Sequence, residues 1–215
     1  MEGKMGLHEE TRVTVIGLGY VGLPCAAMLA NAGCKVTGMD INPEAVRTIN
    51  EGDIHIRERG LDILVRAAVQ RGNLRASTQI HKADVYIIAV PTPITPDKSS
   101  DITIVLKAVE SVAEVLERGQ MVIIESTCPP LTCENHVGPF LKQATGLDHG
   151  VDYDLVYCPE RLLPGSIVEE IVQNDRVVGG TSDVASERAA RLYAKIETGQ
   201  ILKTDATTAE MVKLM

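Results

Sequence analysis

Short apolar runs typical of β-strands alternate with amphipathic stretches typical of α-helices along almost the whole chain. The predicted strands cover residues 12–16, 35–40, 84–90, 120–125, 153–157, 176–178 and 200–202. Strands joined by helices pair in parallel, because right-handed crossovers return the chain to the same end of the sheet and leave helices on both faces. The sequence therefore predicts an α/β fold with a doubly wound, mostly parallel sheet.

The helical stretches carry start and stop signals at their ends. Asn42 and Pro43 are predicted to open one helix as its N-cap and first residue, and Asp101 to cap another. Gly33 and Gly72 follow two of the stretches, where a helix most often ends. The predicted helices cover residues 20–31, from 43 onward, 59–70, 101 to about 118, 130 to about 143, and 183–196.

The composition fits a buried sheet and excludes several classes of function. Hydrophobic residues make up 45% of the chain, with no Trp and a single Phe, which favours an aliphatic core. A net charge of −8 argues against nucleic-acid binding, which needs a basic surface. The five cysteines form no CxxC pair and no zinc spacing, so we expect no metal site and reduced thiols in the cytoplasm. We also expect no signal peptide and no membrane span.

A glycine motif follows the first predicted strand and opens the first predicted helix. Gly17, Gly19 and Gly22, with Tyr20 and Val21 between them, form GxGxxG. In this setting the first glycine allows a tight turn, the second lets the backbone approach a pyrophosphate, and the third lets helix and strand pack closely. Together with the dipole of the helix N-terminus, the motif predicts a dinucleotide-binding, Rossmann-like domain.

Asp40 ends the second predicted strand, about 20 residues beyond the first glycine, as the dinucleotide fingerprint requires. A carboxylate there can accept hydrogen bonds from both adenosine ribose hydroxyls and repels a 2′-phosphate. The expected cofactor is therefore NAD rather than NADP. The alternative interpretation of Asp40 is a cap for the turn that follows the strand.

Several longer motifs resemble the UDP-glucose/GDP-mannose dehydrogenase family from residue 13 to the chain end. They are GLGYVGLP at 17–24, VPTP at 90–93, EST at 125–127, CPERLLPG at 158–165, NDRVVGG at 174–180 and TAEMVKL at 208–214. Within the family, CPERLLPG and NDRVVGG are most similar to the UDP-N-acetyl-D-mannosamine dehydrogenase branch. The glucose branch carries an acid where this chain has Pro164.

This resemblance implies a two-step oxidation of the C6 alcohol of a UDP-sugar by NAD. A cysteine traps the aldehyde as a thiohemiacetal, a second hydride transfer leaves a thioester, and hydrolysis gives the uronic acid. In the family this cysteine lies in a later domain, beyond a central helix that mediates homodimer formation. We expect a tail at residues 1–10, the NAD-binding domain at 11–203, and the start of that central helix at 204–215, with the substrate domain absent.

The resemblance also implies roles for individual residues. Cofactor contacts are expected from Gly17, Gly19, Tyr20, Val21, Gly22, Asp40, Thr92 and Thr127. Thr127 also lies close to the reacting carbon, Glu160 guides protons or the hydrolytic water, and Lys213 stabilises the developing oxyanion. Arg161 and Leu162 resemble the substrate-contacting pair of the N-acetylmannosamine branch.

Three alternatives to this assignment are open from the sequence. The first is a UDP-glucose 6-dehydrogenase, and the second is a non-catalytic NAD-binding module, because one fold hosts many functions. The third is a short-chain β-hydroxyacid dehydrogenase, which also begins with a similar glycine motif. The VPTP, EST and CPER motifs weigh against this third class.

Overall fold

Eight strands form one continuous sheet in the computed structural model, which describes residues 11–96, 100–163 and 165–215. The strands are β1 (Arg12–Ile16), β2 (Lys35–Met39), β3 (Leu74–Ser77), β4 (Val85–Ile88), β5 (Met121–Ile124), β6 (Asp154–Tyr157), β7 (Arg176–Gly180) and β8 (Ile201–Asp205). Their order across the sheet is β3-β2-β1-β4-β5-β6-β7-β8. All neighbouring strands are parallel except the β6–β7 pair, so the predicted doubly wound, mostly parallel α/β fold is confirmed.

Helices cover both faces of this sheet. They are α1 (Gly22–Asn31), α2 (Pro43–Asn50), α3 (Leu61–Gln70), α4 (Thr103–Ala113), α5 (Gly138–Thr145), α6 (Ile167–Gln173), α7 (Asp183–Tyr193) and α8 (Ala206–Val212), with a π-helical turn at Cys133–Val137 before α5. One apolar cluster packs α1, α2, α3, α6 and α7 against the sheet, and a second packs α4, α5 and α8 against its other face. Both clusters are mainly aliphatic, as the composition predicts, but they also contain the buried tyrosines Tyr86, Tyr153, Tyr157 and Tyr193.

Local signals in the sequence set several helix ends. The Asn42 side chain accepts hydrogen bonds from the backbone N–H groups of Glu44 and Ala45, and Pro43 is the first residue of α2. Gly33 and Gly72 follow α1 and α3 with φ angles of +98° and +68°, a conformation that glycine adopts without strain. The Asp101 carboxylate accepts from the Thr103 N–H at the start of α4. The predictions for Asn42, Gly33 and Gly72 are confirmed, whereas Asp101 lies one residue before Ile102, which is the N-cap of α4.

Two elements were missing from the prediction, and several bounds differ from it. Strand β3 (LRAS) contains no β-branched residue, and α6 has seven residues and follows a loop rich in turn residues, so neither carries a strong local signal. Helix α4 ends at Ala113 rather than near residue 118. Strand β8 continues to Asp205, which then caps α8 by accepting from the Thr208 N–H, so the last helix begins slightly after residue 204.

The structure does not test every prediction made from the sequence. The tail expected at residues 1–10 and the substitution at Pro164 lie outside the described residues. The division into a domain at 11–203 and a longer helix from 204 stays a prediction.

Candidate functional site

The predicted site residues follow successive strands at one edge of the sheet. The glycine turn follows β1, Asp40 follows β2, Thr92 follows β4, Thr127 follows β5 and Glu160 follows β6. These five strands are parallel, so their carboxyl ends meet at the same edge. The chain reverses its direction of winding at β1, which lies between β2 and β4. Open α/β sheets bind ligands outside the carboxyl ends of the strands at such a switch point.

Close backbone contacts admit only glycine at two positions of the turn between β1 and α1. Gly17 has a φ of +90°, and a Cβ there would lie 2.5 Å from the carbonyl oxygen of Ala89. A Cβ on Gly22 would lie 1.9 Å from the carbonyl oxygen of Gly17. A Cβ on Gly19 would have no heavy atom within 4 Å, so this backbone faces open space. The turn therefore fits a pyrophosphate that approaches the N-terminus of α1.

Tyr20 and Val21 complete this turn. Val21 occupies the N-cap position of α1, where no side chain of the described residues caps the helix. Tyr20 is 45% exposed beside it. An uncapped helix N-terminus keeps a partial positive charge on its first N–H groups. Both residues thus lie where a dinucleotide phosphate would bind.

The Asp40 carboxylate is fixed by two backbone N–H groups. Its Oδ2 accepts a hydrogen bond from Leu18 N at 2.8 Å, and its Oδ1 accepts from Asn42 N at 2.9 Å. The carboxylate therefore caps the turn after β2 and is also anchored to the glycine turn after β1. Because each carboxylate oxygen has a second lone pair, Asp40 can still accept hydrogen bonds from ribose hydroxyls.

Ser126, which the sequence analysis did not select, joins the loops that carry Thr92 and Thr127. Its Oγ accepts a hydrogen bond from Val90 N at 2.9 Å and donates to Val90 O at 2.8 Å. Thr92 and Thr127 are both partly exposed at the ends of these loops. The available signal was the position of Ser126 inside the EST motif.

Glu160 is oriented by its neighbours rather than free in the loop after β6. Its Oε2 forms a salt bridge with Arg176 Nη2, and its Oε1 accepts from Arg161 N at 2.9 Å. The Glu160 side chain is 10% exposed and that of Arg176 is 5% exposed. A carboxylate that is held in this way has a fixed direction at the edge of the site.

Lys213 reaches the same loop from the end of α8. Its Nζ donates a hydrogen bond to the backbone carbonyl oxygen of Glu160. Partial burial lowers the pKa of Lys213, the Glu160 carboxylate raises it, and Arg161 lowers it. The structure thus brings together two residues that are 53 positions apart in the sequence.

The side chains of Arg161 and Leu162 lie in different environments. The exposed Arg161 donates from Nη2 to the carbonyl oxygen of Asp175 at 3.0 Å, so its partner is a backbone group rather than a carboxylate. Leu162 is partly buried and packs against the apolar cluster on the α1 face. Of these two residues, Arg161 is the one that presents a polar group to solvent near Glu160.

Glu58 is a second residue that sequence analysis missed. Although it precedes α3, its Oε2 accepts from Gly165 N at 2.8 Å and its Oε1 accepts from Ile167 N at 3.0 Å. The carboxylate is buried and lies at the N-terminus of α6, where negative charge is favourable. Glu58 therefore anchors the end of the CPERLLPG loop to the segment that precedes α3. No local motif in the sequence predicts a contact between residues more than 100 positions apart.

Residues 11–197 match the NAD-binding domain of the UDP-glucose/GDP-mannose dehydrogenase family. The chain belongs to this family. The family assignment from the sequence and the expected cofactor, NAD, are confirmed.

Individual members of the family are similar over nearly the whole chain. The UDP-N-acetyl-D-mannosamine dehydrogenase of Methanococcus aeolicus is 46% identical over 210 residues, which are 96% of this chain and 47% of that protein. The NDP-N-acetyl-D-galactosaminuronic acid dehydrogenase of Ralstonia solanacearum is 45% identical over 94% of this chain and 49% of its own length. The structure of the UDP-N-acetyl-mannosamine dehydrogenase Cap5O from Staphylococcus aureus superposes with a TM-score of 0.92 at 42% identity, covering 95% of this chain and 50% of the other. This chain thus spans about half the length of these family members.

The cysteines of this family member are not arranged as activated nucleophiles. All five are buried and unpaired among the described residues. Burial raises the pKa of Cys128 and of Cys158 to about 12, and it also raises the pKa of Cys25, Cys34 and Cys133. A thiol with a raised pKa holds its proton at neutral pH and is a poor nucleophile.

The described residues offer neither a metal site nor a membrane span. They contain no group of three or more His, Cys, Asp or Glu side chains placed to hold a metal ion. None of their helices combines the length and apolar character that a membrane crossing requires.

Proposed function

We propose that this chain is the NAD-binding part of a UDP-N-acetyl-D-mannosamine dehydrogenase that oxidises the sugar C6 alcohol to a uronic acid. The observation that carries the proposal is the contact of Lys213 Nζ with the backbone of Glu160, at the edge where the glycine turn and Asp40 also lie. An ammonium and a carboxylate beside a dinucleotide site are the groups that an alcohol oxidation needs.

The cofactor-binding role is assigned to the turn after β1 and to the ends of β2, β4 and β5. Gly17, Gly19, Tyr20, Val21 and Gly22 hold the pyrophosphate at the N-terminus of α1, and Asp40 accepts the adenosine ribose hydroxyls. When bound, NAD accepts the hydride in each oxidation step. Thr92 and Thr127 contact its nicotinamide half, because both follow strands adjacent to β1 or β4 at the same edge.

The chemical roles are assigned to Lys213, Glu160 and Thr127. Lys213 stabilises the oxyanion that develops at the sugar carbon, and its lowered pKa brings release of its proton closer to neutral pH. The oriented Glu160 carboxylate guides protons and the hydrolytic water. Thr127 lies near the reacting carbon and positions it.

Substrate recognition is assigned to Arg161 and Leu162 in CPERLLPG. Arg161 offers a planar fork of donors beyond its bond to Asp175, suited to phosphate oxygens or a sugar substituent. Leu162 supplies apolar surface beside it. The N-acetyl group and the epimer are assigned from the similarity to the UDP-N-acetyl-D-mannosamine dehydrogenases.

The covalent step requires a thiol other than the five in this chain, because burial raises the pKa of each of them. We assign it to the half of the family members that this chain does not span. The complete protein forms a homodimer through its central helix and acts in the cytoplasm, where free thiols such as these five stay reduced.

The test is NADH formation by the full-length protein that contains residues 1–215. We expect UDP-N-acetyl-D-mannosamine to be oxidised with a higher kcat/KM than UDP-glucose, the alternative substrate, or UDP-N-acetyl-D-galactosamine, at matched concentrations. The 215-residue chain alone is the control, and we expect it to produce no NADH steadily.

A kcat/KM that favours UDP-glucose tenfold, a transition-state difference of about 1.4 kcal/mol, would reverse the substrate assignment. A full-length protein that binds NAD but oxidises none of the three sugars would instead support the non-catalytic module.

A further inference from the structure

A buried guanidinium joins Glu160 to two carboxylates that no step above uses. Arg176 forms salt bridges with Glu160 through Nη2 and with Glu197 through Nε, and its Nη1 lies 3.5 Å from Glu125 Oε1. The side chains of Arg176, Glu125 and Glu197 are 5%, 1% and 0% exposed. One cation thus serves three carboxylates in the interior of the protein.

Aromatic and thiol groups close this cluster. The guanidinium lies 4.3 Å from the ring centre of Tyr193, whose hydroxyl donates to Glu125 Oε1 at 2.5 Å. Arg176 Nη1 lies 3.4 Å from Cys158 Sγ. The titratable groups that face the three carboxylates are Cys25 from α1, Cys158 from the loop after β6, Arg176 from β7 and Tyr193 from α7. On the outer side of Glu160 lie Arg161, Lys213, Glu170 from α6 and Asp175 just before β7.

The charges of this cluster do not balance when every carboxyl is ionised. Three carboxylates and one guanidinium then carry a net charge of −2 in a buried site, which is unfavourable. Glu125 Oε2 and Glu197 Oε2 also find no hydrogen-bond partner among the described residues. Two carboxyls that lack partners for one oxygen each are the groups that take up protons to restore the balance.

The protonation of these two carboxyls is coupled to the charge of Glu160. Burial raises the pKa of Glu125 to about 7 and that of Glu197 to about 7; Arg176 lowers both, and the Glu160 carboxylate raises both. Coupling between two sites is reciprocal. The protonation of Glu125 and of Glu197 therefore depends on the negative charge that Glu160 places beside the same guanidinium.

We propose that Arg176 is a positioning residue for the Glu160 carboxylate, and that Glu125 and Glu197 compete with Glu160 for its guanidinium. When the two buried carboxyls are neutral, Arg176 pairs with the Glu160 carboxylate alone, and the charges of this pair cancel. When they ionise, Glu160 shares the same cation with two further negative charges. The state of this cluster sets how firmly Arg176 holds the Glu160 carboxylate, a consequence for catalysis that rests on the proposed role of Glu160.

The coupling can be measured in the 215-residue chain without any activity. Carboxyl ¹³C NMR would follow Glu125 and Glu197, each assigned by the loss of its signal in the Glu→Gln variant. In Glu160→Gln, we expect both titration midpoints to fall from near pH 7 by about half a unit or more, because a neighbouring negative charge is removed. Glu187→Gln, an exposed carboxylate paired with Lys203 and Arg191, is the matched control and leaves both midpoints in place. Midpoints that do not move in Glu160→Gln would overturn the proposal.

The positioning role is measured in the full-length protein from the pH dependence of kcat. The double variant Glu125→Gln/Glu197→Gln keeps both positions neutral at every pH, so the competition that begins when these carboxyls ionise near pH 7 is absent. We expect the alkaline limb of the profile to move to higher pH by about one unit, a tenfold change in proton concentration. Glu187→Gln leaves the limb where it is. A lower kcat at every pH with an unmoved limb would show a structural role only and refute the positioning role. If the full-length protein oxidises no nucleotide sugar, the proposed function fails. The NMR titration still shows whether the protonation of Glu125 and Glu197 depends on Glu160.

Discussion

Replacing Arg176 with methionine is expected to destabilise the protein by about 3–5 kcal/mol, the usual cost of removing one partner from a buried ion pair. Methionine keeps much of the side-chain length but leaves Glu125, Glu160 and Glu197 without their shared cation. Urea unfolding of the 215-residue chain, followed by circular dichroism, measures the difference in the free energy of unfolding.

The cost of Arg176→Met is expected to depend on pH in a defined direction. The pKa values of Glu125 and Glu197 are raised to about 7 from an ordinary 4.5, so the folded state binds more protons than the unfolded state between these values. Stability therefore falls as pH rises through this window and levels off above it. The charge of Arg176 lowers both pKa values, so without it they lie higher and the free energy of unfolding continues to fall above pH 7. The loss is thus expected to be larger at about pH 8 than at about pH 5.5.

Arg191→Met provides the matched control for this experiment. Arg191 lies on α7 and pairs with Glu187 at the surface, where ion pairs contribute little to stability. We expect the urea midpoint of the Arg191→Met chain to stay close to that of the unchanged chain. An Arg176→Met chain as stable as this control at pH 8 would contradict the account of the cluster.

Replacing Lys213 with alanine in the full-length protein is expected to lower kcat about 10²–10³-fold, the range found when one group that stabilises a developing oxyanion is removed. KM is expected to change far less, because the lysine acts on charge that exists mainly in the transition state. Initial rates of NADH formation over a range of sugar concentrations separate the two parameters.

Lys203→Ala is the control for the loss of a lysine near the chain end. Lys203 lies on β8 and pairs with Glu187 on the surface, away from Glu160. Its kcat is expected to equal that of the unchanged enzyme within experimental error. If Lys213→Ala keeps a kcat within threefold of this control, or changes only KM, then Lys213 has no part in the chemistry.

The sheet could be predicted because its signals are local and repeated. Strands β4 and β5 are apolar runs rich in Val and Ile, and α2 has a periodic apolar face and a side-chain cap at Asn42. Strand β3 contains no β-branched residue, and α6 has no side-chain cap, so neither carries such a signal. The order of the strands near the end of the sheet, with β7 antiparallel to β6, depends on packing between distant segments and has no local signal.

The candidate site could be predicted in outline but not in its supporting contacts. The glycine turn, Asp40 and the loops after the strands follow from motifs whose physical context is visible in the sequence. The Glu58 contact with Gly165 and Ile167, and the convergence of Glu125, Glu160 and Glu197 on Arg176, connect residues far apart in the chain. Single charged residues in apolar or loop segments do not reveal which partners the fold gives them.

The central claim is that residues 17–40 form an NAD site within this chain, and calorimetric titration of the 215-residue chain with NAD and NADP tests it most directly. We expect NAD to bind more tightly than NADP. Asp40→Ala is expected to weaken NAD binding by at most ~1.5–3 kcal/mol, the value of hydrogen bonds to a charged group, and to reduce the preference for NAD over NADP. The control Asp183→Ala, at an exposed aspartate, is expected to change neither the NAD affinity nor this preference. Equal affinity for NADP, or no binding of NAD, would contradict the account.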